Sequence, residues 1–155
     1  MTRLWMLDTN TVSYIVREKS PAARAKLQKL QGDEIGCISV ITEAELRYGT
    51  SKQAPGSARL AALNILFDKL RILPWSSAEA LVYGDLRAKL ERAGKVLGNL
   101  DTLIAAHAIS TNATLVTRDK AFAQVEDLRP PVNWGLIYKF VWRGRPRPRY
   151  SVTCL

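Results

Sequence analysis

The stretch "WMLDTNTVSYIV", residues 5–16, decides how the rest of the chain is read. Its apolar opening has the character of a buried strand, read here over residues 4–7. Asp8 ends the run, Thr9, Asn10 and Thr11 follow, and residues 10–17 have helical character. A carboxylate and small polar groups thus stand where a core strand hands over to a helix. An Asx-turn that caps the helix explains them; so does a metal site. One Asp does not decide between the two, so partners have to be sought elsewhere in the chain.

The whole sequence sets bounds. Its 155 residues fit one domain with a substantial core. No apolar run is long enough to span a membrane, and the N-terminus lacks a signal-peptide pattern because Asp8 interrupts its only apolar stretch. The expected location is the cytoplasm. Two cysteines, Cys37 and Cys154, form no disulfide framework, and His107, the only histidine, leaves no zinc cluster. The net charge is +9, but Lys139, Arg143, Arg145, Arg147 and Arg149 supply five of it with no acid among residues 135–155, leaving +4 for residues 1–134. A basic chain favours polyanions; here over half of the excess sits in a tail.

Working outward, short β-like runs alternate with helical stretches, which predicts an α/β fold with a central, mostly parallel sheet of four to five strands flanked by helices. Strands are expected at residues 4–7, 35–40, 71–73 and 114–117, with an edge strand at 128–132, where Pro130 and Pro131 forbid a central position. Helices are expected at 10–17, 21–30, from Thr42, over 58–70, from Ser76 or Ser77 until Gly94 stops it, and at 100–109, with a helical turn at 121–125. From residue 135 the character changes. "GLIYKFVWRGRPRPRYSVTCL" alternates Arg with Pro, which excludes a regular helix and favours an extended, solvated chain. Residues 135–155 therefore read as an extension to a domain of residues 1–134. That extension is a nucleic-acid-binding arm, a dispensable appendage or vector-derived sequence, and the last two readings carry more weight.

Carboxylates recur where this fold brings strand ends together. Asp8 ends the first strand, Glu43 and Glu45 follow the second, and Thr117, Arg118 and Asp119 follow "ATLV". The carboxyl ends of parallel strands share one edge, where ligands bind. Asp101 in "VLGNLDTLIAAHA" opens a helix whose Ile104, Ala105 and Ala108 lie on its own face. Each acid has an ordinary structural reading: Asp8 an Asx-turn, Thr42 to Glu45 a capping box, Asp101 a first-turn acid, Asp119 a loop charge. Together they are harder to dismiss. Clustered carboxylates raise one another's pKa, and Mg²⁺ or Mn²⁺ removes that cost. Such an ion activates water and stabilises the leaving oxygen in phosphodiester cleavage without a histidine pair.

The pieces "MLDTNTVSYI", "ISVITEAELRYGT", "VLGNLDTLIAAHA" and "LVTRDKAF", closed by "RPPVNW", resemble in order and spacing the PIN-domain ribonucleases, specifically the VapC toxins of bacterial type II toxin–antitoxin systems. The resemblance runs over residues 4–134 and implies a PIN-like α/β fold. It implies that Asp8, Glu45 and Asp101 are the central acids and Asp119 a more variable fourth. Mg²⁺ or Mn²⁺ would bind at Asp8 and Asp101, the other two would hold water, and Asn10 and Thr117 would arrange the pocket. The Leu-Arg-Tyr-Gly that follows Glu45 matches the family, so Glu45 is preferred to Glu43; a capping role for Glu45 stays open. The resemblance further implies a VapB-type antitoxin, homodimers and hetero-oligomers, promoter DNA bound through the antitoxin, and tRNA or rRNA loops as substrates that are cut to stop translation.

Two other readings are weighed. Asp8-Thr9-Asn10-Thr11 partly mimics the opening of haloacid-dehalogenase-like phosphatases, but Asn10 cannot donate a carboxyl proton. A non-catalytic nucleic-acid-binding protein would act through the basic tail, with Trp134, Trp142 and Tyr150 available for stacking; such aromatics more often cover a core edge. His107 lies six positions past Asp101, off its helical face, and reads as a packed or partly exposed residue without a catalytic role.

Overall fold

The computed structural model describes residues 1–135, 137–139 and 151–153. Its sheet comprises β1 (Arg3–Leu7), β2 (Glu34–Ser39), β3 (Arg71–Leu73) and β4 (Thr114–Val116), in the order β3-β2-β1-β4. All three pairings are parallel, with Met6 opposite both Cys37 and Leu115. Among the described residues six helices surround it: α1 (Thr9–Val16), α2 (Pro21–Gln28), α3 (Val40–Ser51), α4 (Ala58–Phe67), α5 (Ser77–Arg92) and α6 (Asn99–Ser110). A 3₁₀ turn spans Lys120–Gln124.

Parallel strands joined by helices are covered on both faces, so consecutive residues go to opposite cores. Met6, Cys37 and Leu115 join Leu86, Leu90, Ile104, Ala105, Ala108 and Phe122 on one side. Their neighbours Leu7, Ile38 and Val116 join Val12, Ile15, Leu63, Phe67 and Trp134 on the other. Burial pushes the Cys37 thiol up to about 12, which makes it an inert core group. Trp134 is buried against Trp5 with ring centroids 5.7 Å apart, so it closes a core edge rather than offering a stacking face.

Most helix boundaries follow from their caps. Ser76 and Glu79 form a capping box that starts α5. Gly94, at φ +65°, ends it with its N–H on Glu91 O and that of Lys95 on Leu90 O. At α3 the sequence expectation is corrected. Ser39, not Thr42, is the N-cap and its Oγ accepts from Ile41 N. The cap thus lies three residues earlier than expected, because the strand's last residue is itself a capping serine.

The expected edge strand at 128–132 reduces to one parallel bridge from Val132 to Val116, as the two prolines before it supply no N–H donors. Beyond residue 135, Ile137–Lys139 pairs antiparallel with Ser151–Thr153. The Arg/Pro alternation, Trp142, Tyr150 and Cys154 lie outside the described residues. Among the described residues no helix is long and apolar enough to cross a membrane.

Candidate active site

The strand order reverses at β1: β2 and β3 lie to one side and β4 returns to the other. A crevice opens at such a switch point, at the carboxyl ends of the two diverging strands. Asp8 follows β1 there and Thr117 follows β4.

Asp8 is 2% exposed and is the N-cap of α1. Its Oδ1 accepts from Thr11 N at 2.7 Å, which is the Asx-type cap that the sequence admits. Its Oδ2 accepts from Thr117 Oγ1 at 2.5 Å, which the capping reading does not require. Thr117 Oγ1 in turn accepts from Asp119 N at 3.0 Å, so one threonine organises two of the acids. Burial holds the Asp8 carboxyl above the usual range, the bonds from Thr11 and Thr117 oppose this, and the Asp119 charge adds to it.

Glu45 sits in α3, well past its first turn, so the capping-box conflict disappears once Ser39 is the cap. Its Oε2 accepts from Thr9 Oγ1 at 2.5 Å. Glu43 belongs to the first turn and is bound by Arg47, with Nη2 2.7 Å from Oε1. Asp101 lies in the first turn of α6, half-buried, beside Gly98 at the N-cap. A Cβ at residue 98 would stand 2.9 Å from Asp101 Oδ2, so glycine leaves the room this carboxylate occupies. Burial raises the Asp101 pKa, and then the charges of Asp119, Glu45 and Asp8 in that order. Residues scattered between positions 8 and 119 thus act on one another, with Asp8 at the buried floor and Asp119 exposed at the rim.

Among the described residues, none of these four carboxylates forms an ion pair, while seven other pairs do form. Nor do three carboxylate, thiol or imidazole groups come close enough there to make a ready-formed metal cage. The donor set fits a hard divalent cation all the same. Mg²⁺ keeps several of its waters and needs only one or two carboxylates, so an open, all-oxygen basin suits it better than a closed cage does.

One placement differs from expectation. Asn10 is exposed and donates to none of these acids among the described residues; its neighbour Thr9 makes the contact with Glu45. Two threonines flank Asn10, but nothing local to "DTNT" tells which side chain meets a helix more than thirty residues away. Of the two placements expected for His107, packed or partly exposed, the structure has the packed one: it is 0% exposed, and its Nδ1 lies 2.8 Å from Ser39 Oγ.

The comparisons with known proteins agree with this architecture. A PIN-domain family model matches residues 5–128. Ribonuclease VapC2 of Rickettsia felis is 38% identical over 126 residues, 81% of this chain and 94% of that protein. The tRNA(fMet)-specific endonuclease VapC of Shigella flexneri is 33% identical, with the same coverage of 81% and 94%. Among solved structures, VapBC2 from Rickettsia felis bound to a promoter DNA fragment gives a TM-score of 0.76 at 37% identity, covering 81% of this chain and 95% of that one. DNA-bound VapBC from Salmonella typhimurium gives 0.77 at 31% identity, covering 86% and 99%. With the family's fold and its characteristic stretches both present, the chain belongs to the VapC family of PIN-domain ribonucleases.

Proposed function

We propose that this protein is a toxin that cleaves structured RNA, a tRNA or an rRNA loop, with Mg²⁺ or Mn²⁺ held at Asp8 and Asp101. The observation that carries the proposal is the basin itself: Asp101 feels the charges of Asp119, Glu45 and Asp8, and no cationic side chain among the described residues pairs with any of them. A bound divalent ion would neutralise charge on the scissile phosphate and on the departing oxygen.

The chain's own groups do the rest. Thr117 and the Thr11 N–H hold Asp8 in one orientation. Thr9 holds Glu45, leaving Glu45 Oε1 to orient a water and accept its proton. Asp119, with its N–H tied to Thr117, offers a second acceptor at the rim. The only histidine is sealed in the core, so proton transfer falls to carboxylates.

The related VapBC complexes, some of them bound to DNA, support a VapB-type antitoxin as partner, with promoter DNA contacted through it. Homodimers and toxin–antitoxin hetero-oligomers, a cytoplasmic location, and a nuclease unit of residues 1–134 followed by a separate extension belong to the same proposal. The test is cleavage of a total tRNA and rRNA mixture by antitoxin-free protein in Mg²⁺, Mn²⁺ or EDTA, beside identically purified Asp101→Asn. Discrete products that need the metal and vanish in the variant are expected. Binding without cleavage would overturn the nuclease reading, and equal cleavage by the variant would overturn the assignment of the site.

A further inference from the structure

Two of the proposed acids ride on different helices, Glu45 on α3 and Asp101 on α6, and their separation must be fixed by something. Ser39 and His107, both 0% exposed, make the buried polar contact between the two segments. Ser39 Oγ accepts from Ile41 N at 3.1 Å, which starts α3, and shares a hydrogen with His107 Nδ1 at 2.8 Å. Glu45 is six residues after Ser39 and Asp101 six before His107. At the helical rise of 1.5 Å, each acid therefore stands about 9 Å along its helix from this crosspiece.

The imidazole is held for this one bond. Its ring stands edge-on to Trp75, with centroids 5.5 Å apart at 83°. Its Nε2 has no hydrogen-bond partner among the described residues. A buried nitrogen left without a partner is destabilising, and a leucine of similar volume would avoid it. Burial lowers the His107 pKa, although the Glu79 charge opposes this, so the ring is neutral and suited to a hydroxyl partner. At its far end α6 is tied again, by Ser110 Oγ donating to Glu79 Oε1 at 2.7 Å.

We infer that His107 is a positioning residue for RNA cleavage: through Ser39 it sets where α3 begins against α6, and so how Glu45 meets Asp101. This inference rests on the proposed nuclease function. It gives His107 no contact with substrate.

The experiment uses the full chain with His107→Leu and His107→Asn. Leucine keeps the volume and loses the bond. Asparagine places one amide atom where Nδ1 stood and exchanges the orphaned Nε2 for its second amide atom, so it keeps the bond to Ser39 in a smaller side chain. Two quantities are read: kcat and KM for RNA in Mg²⁺, and amide hydrogen exchange of residues 41–45. For His107→Leu, faster exchange there and a kcat lower by about tenfold or more are expected, the range for losing a group that orients a site ligand, with KM within about twofold. His107→Asn restores both.

Unchanged kcat and exchange in His107→Leu would overturn the inference. So would a His107→Asn as impaired as the leucine variant, or a loss confined to KM. If His107→Leu does not fold, His107→Met removes the same bond with a more adaptable side chain and leaves the Ser39 cap intact, and the same fall in kcat with the same local exchange decides the matter. If the wild type cleaves no RNA, the functional proposal fails by itself, while the exchange comparison still tests the crosspiece.

Discussion

Two carboxylate settings in this molecule are built on opposite plans. Glu79 is 6% exposed and saturated with donors: its Oε2 accepts from Ser76 N and Ser76 Oγ, each at 2.6 Å, and its Oε1 from Ser110 Oγ. Those bonds, that of Ser76 first, hold its carboxyl at about 2, despite the opposing effect of burial. Asp8 and Asp101 lie in a basin shared with Glu45 and Asp119, and burial shifts both upward. The first setting ties helix ends together and lowers the energy of the folded chain. The second concentrates negative charge that the described protein does not neutralise, which is what the proposed cation site requires.

The sharpest way to break this contrast is Asp101→Asn. Cleavage is expected to fall by on the order of 10²-fold or more, as for removal of a group that stabilises transition-state charge directly. Thermal stability should move the other way. A carboxyl whose pKa is raised by folding contributes stability that is fully present below its unfolded value, 3.8 here, and is lost as pH rises through the folded value. At neutral pH in EDTA the variant should therefore melt above the wild type, and added Mg²⁺ should narrow the gap. A variant that melts lower in EDTA would show that Asp101 is structural, as Glu79 is.

A smaller loss is expected from the group that steadies the floor. Thr117→Val removes the donor to Asp8 Oδ2 and the acceptor of the Asp119 N–H while keeping the side-chain shape. Cleavage should drop about 10–100-fold, the range for partners that orient a ligating side chain. Measured against rising Mg²⁺, part of that loss should be recovered if the defect lies in holding the ion.

Glu79→Gln probes the other half of the comparison. The folded pKa is depressed from 4.5 to about 2, so its stability is present above the unfolded value and is lost as pH falls through the folded one. Urea denaturation at pH 7 should show a loss of about 2 kcal/mol, typical of hydrogen bonds to a charged group. The variant should lack the wild type's decline between pH 4.5 and pH 2. RNA cleavage well below the melting temperature should persist.

How far the sequence reveals these two settings differs for a physical reason. The α/β alternation, the strands at positions 4–7 and 114–117 and the cap at Ser76 follow from local periodicity and capping chemistry, which a few neighbouring residues determine. Asp8, Glu45, Asp101 and Asp119 become legible as a group only because parallel strand ends share an edge. The contacts that hold them are not legible. Thr9 reaches a helix thirty-six positions away, and Thr117 and Asp8 are 109 apart. The start of α3 was concealed by chemistry that two residues share: Ser39 and Thr42 are both good caps, and Thr42 with Glu45 has a capping-box spacing. The strand pairing decides it, because β2 runs in register with β3 up to Ser39 opposite Leu73, and the helix starts at once.

That choice of cap also separates the two glutamates of α3, and the last prediction tests the separation. Residues two apart on a helix point about 200° away from each other and do not share surroundings. Glu43 meets Arg47 one turn on, at 2.7 Å, as an ordinary surface pair; Glu45 meets Thr9. Glu43→Gln should cost no more than about 0.5 kcal/mol, the usual value of such an i,i+4 pair, and cleavage should stay within about twofold of wild type. Glu45→Gln should lose most of the activity, because an amide in its place cannot accept a proton from water. Equal activities for the two variants would mean that α3 presents no acid to the reaction. A severe loss from Glu43→Gln alone would put the functional glutamate on the face that carries Arg47, away from Thr9.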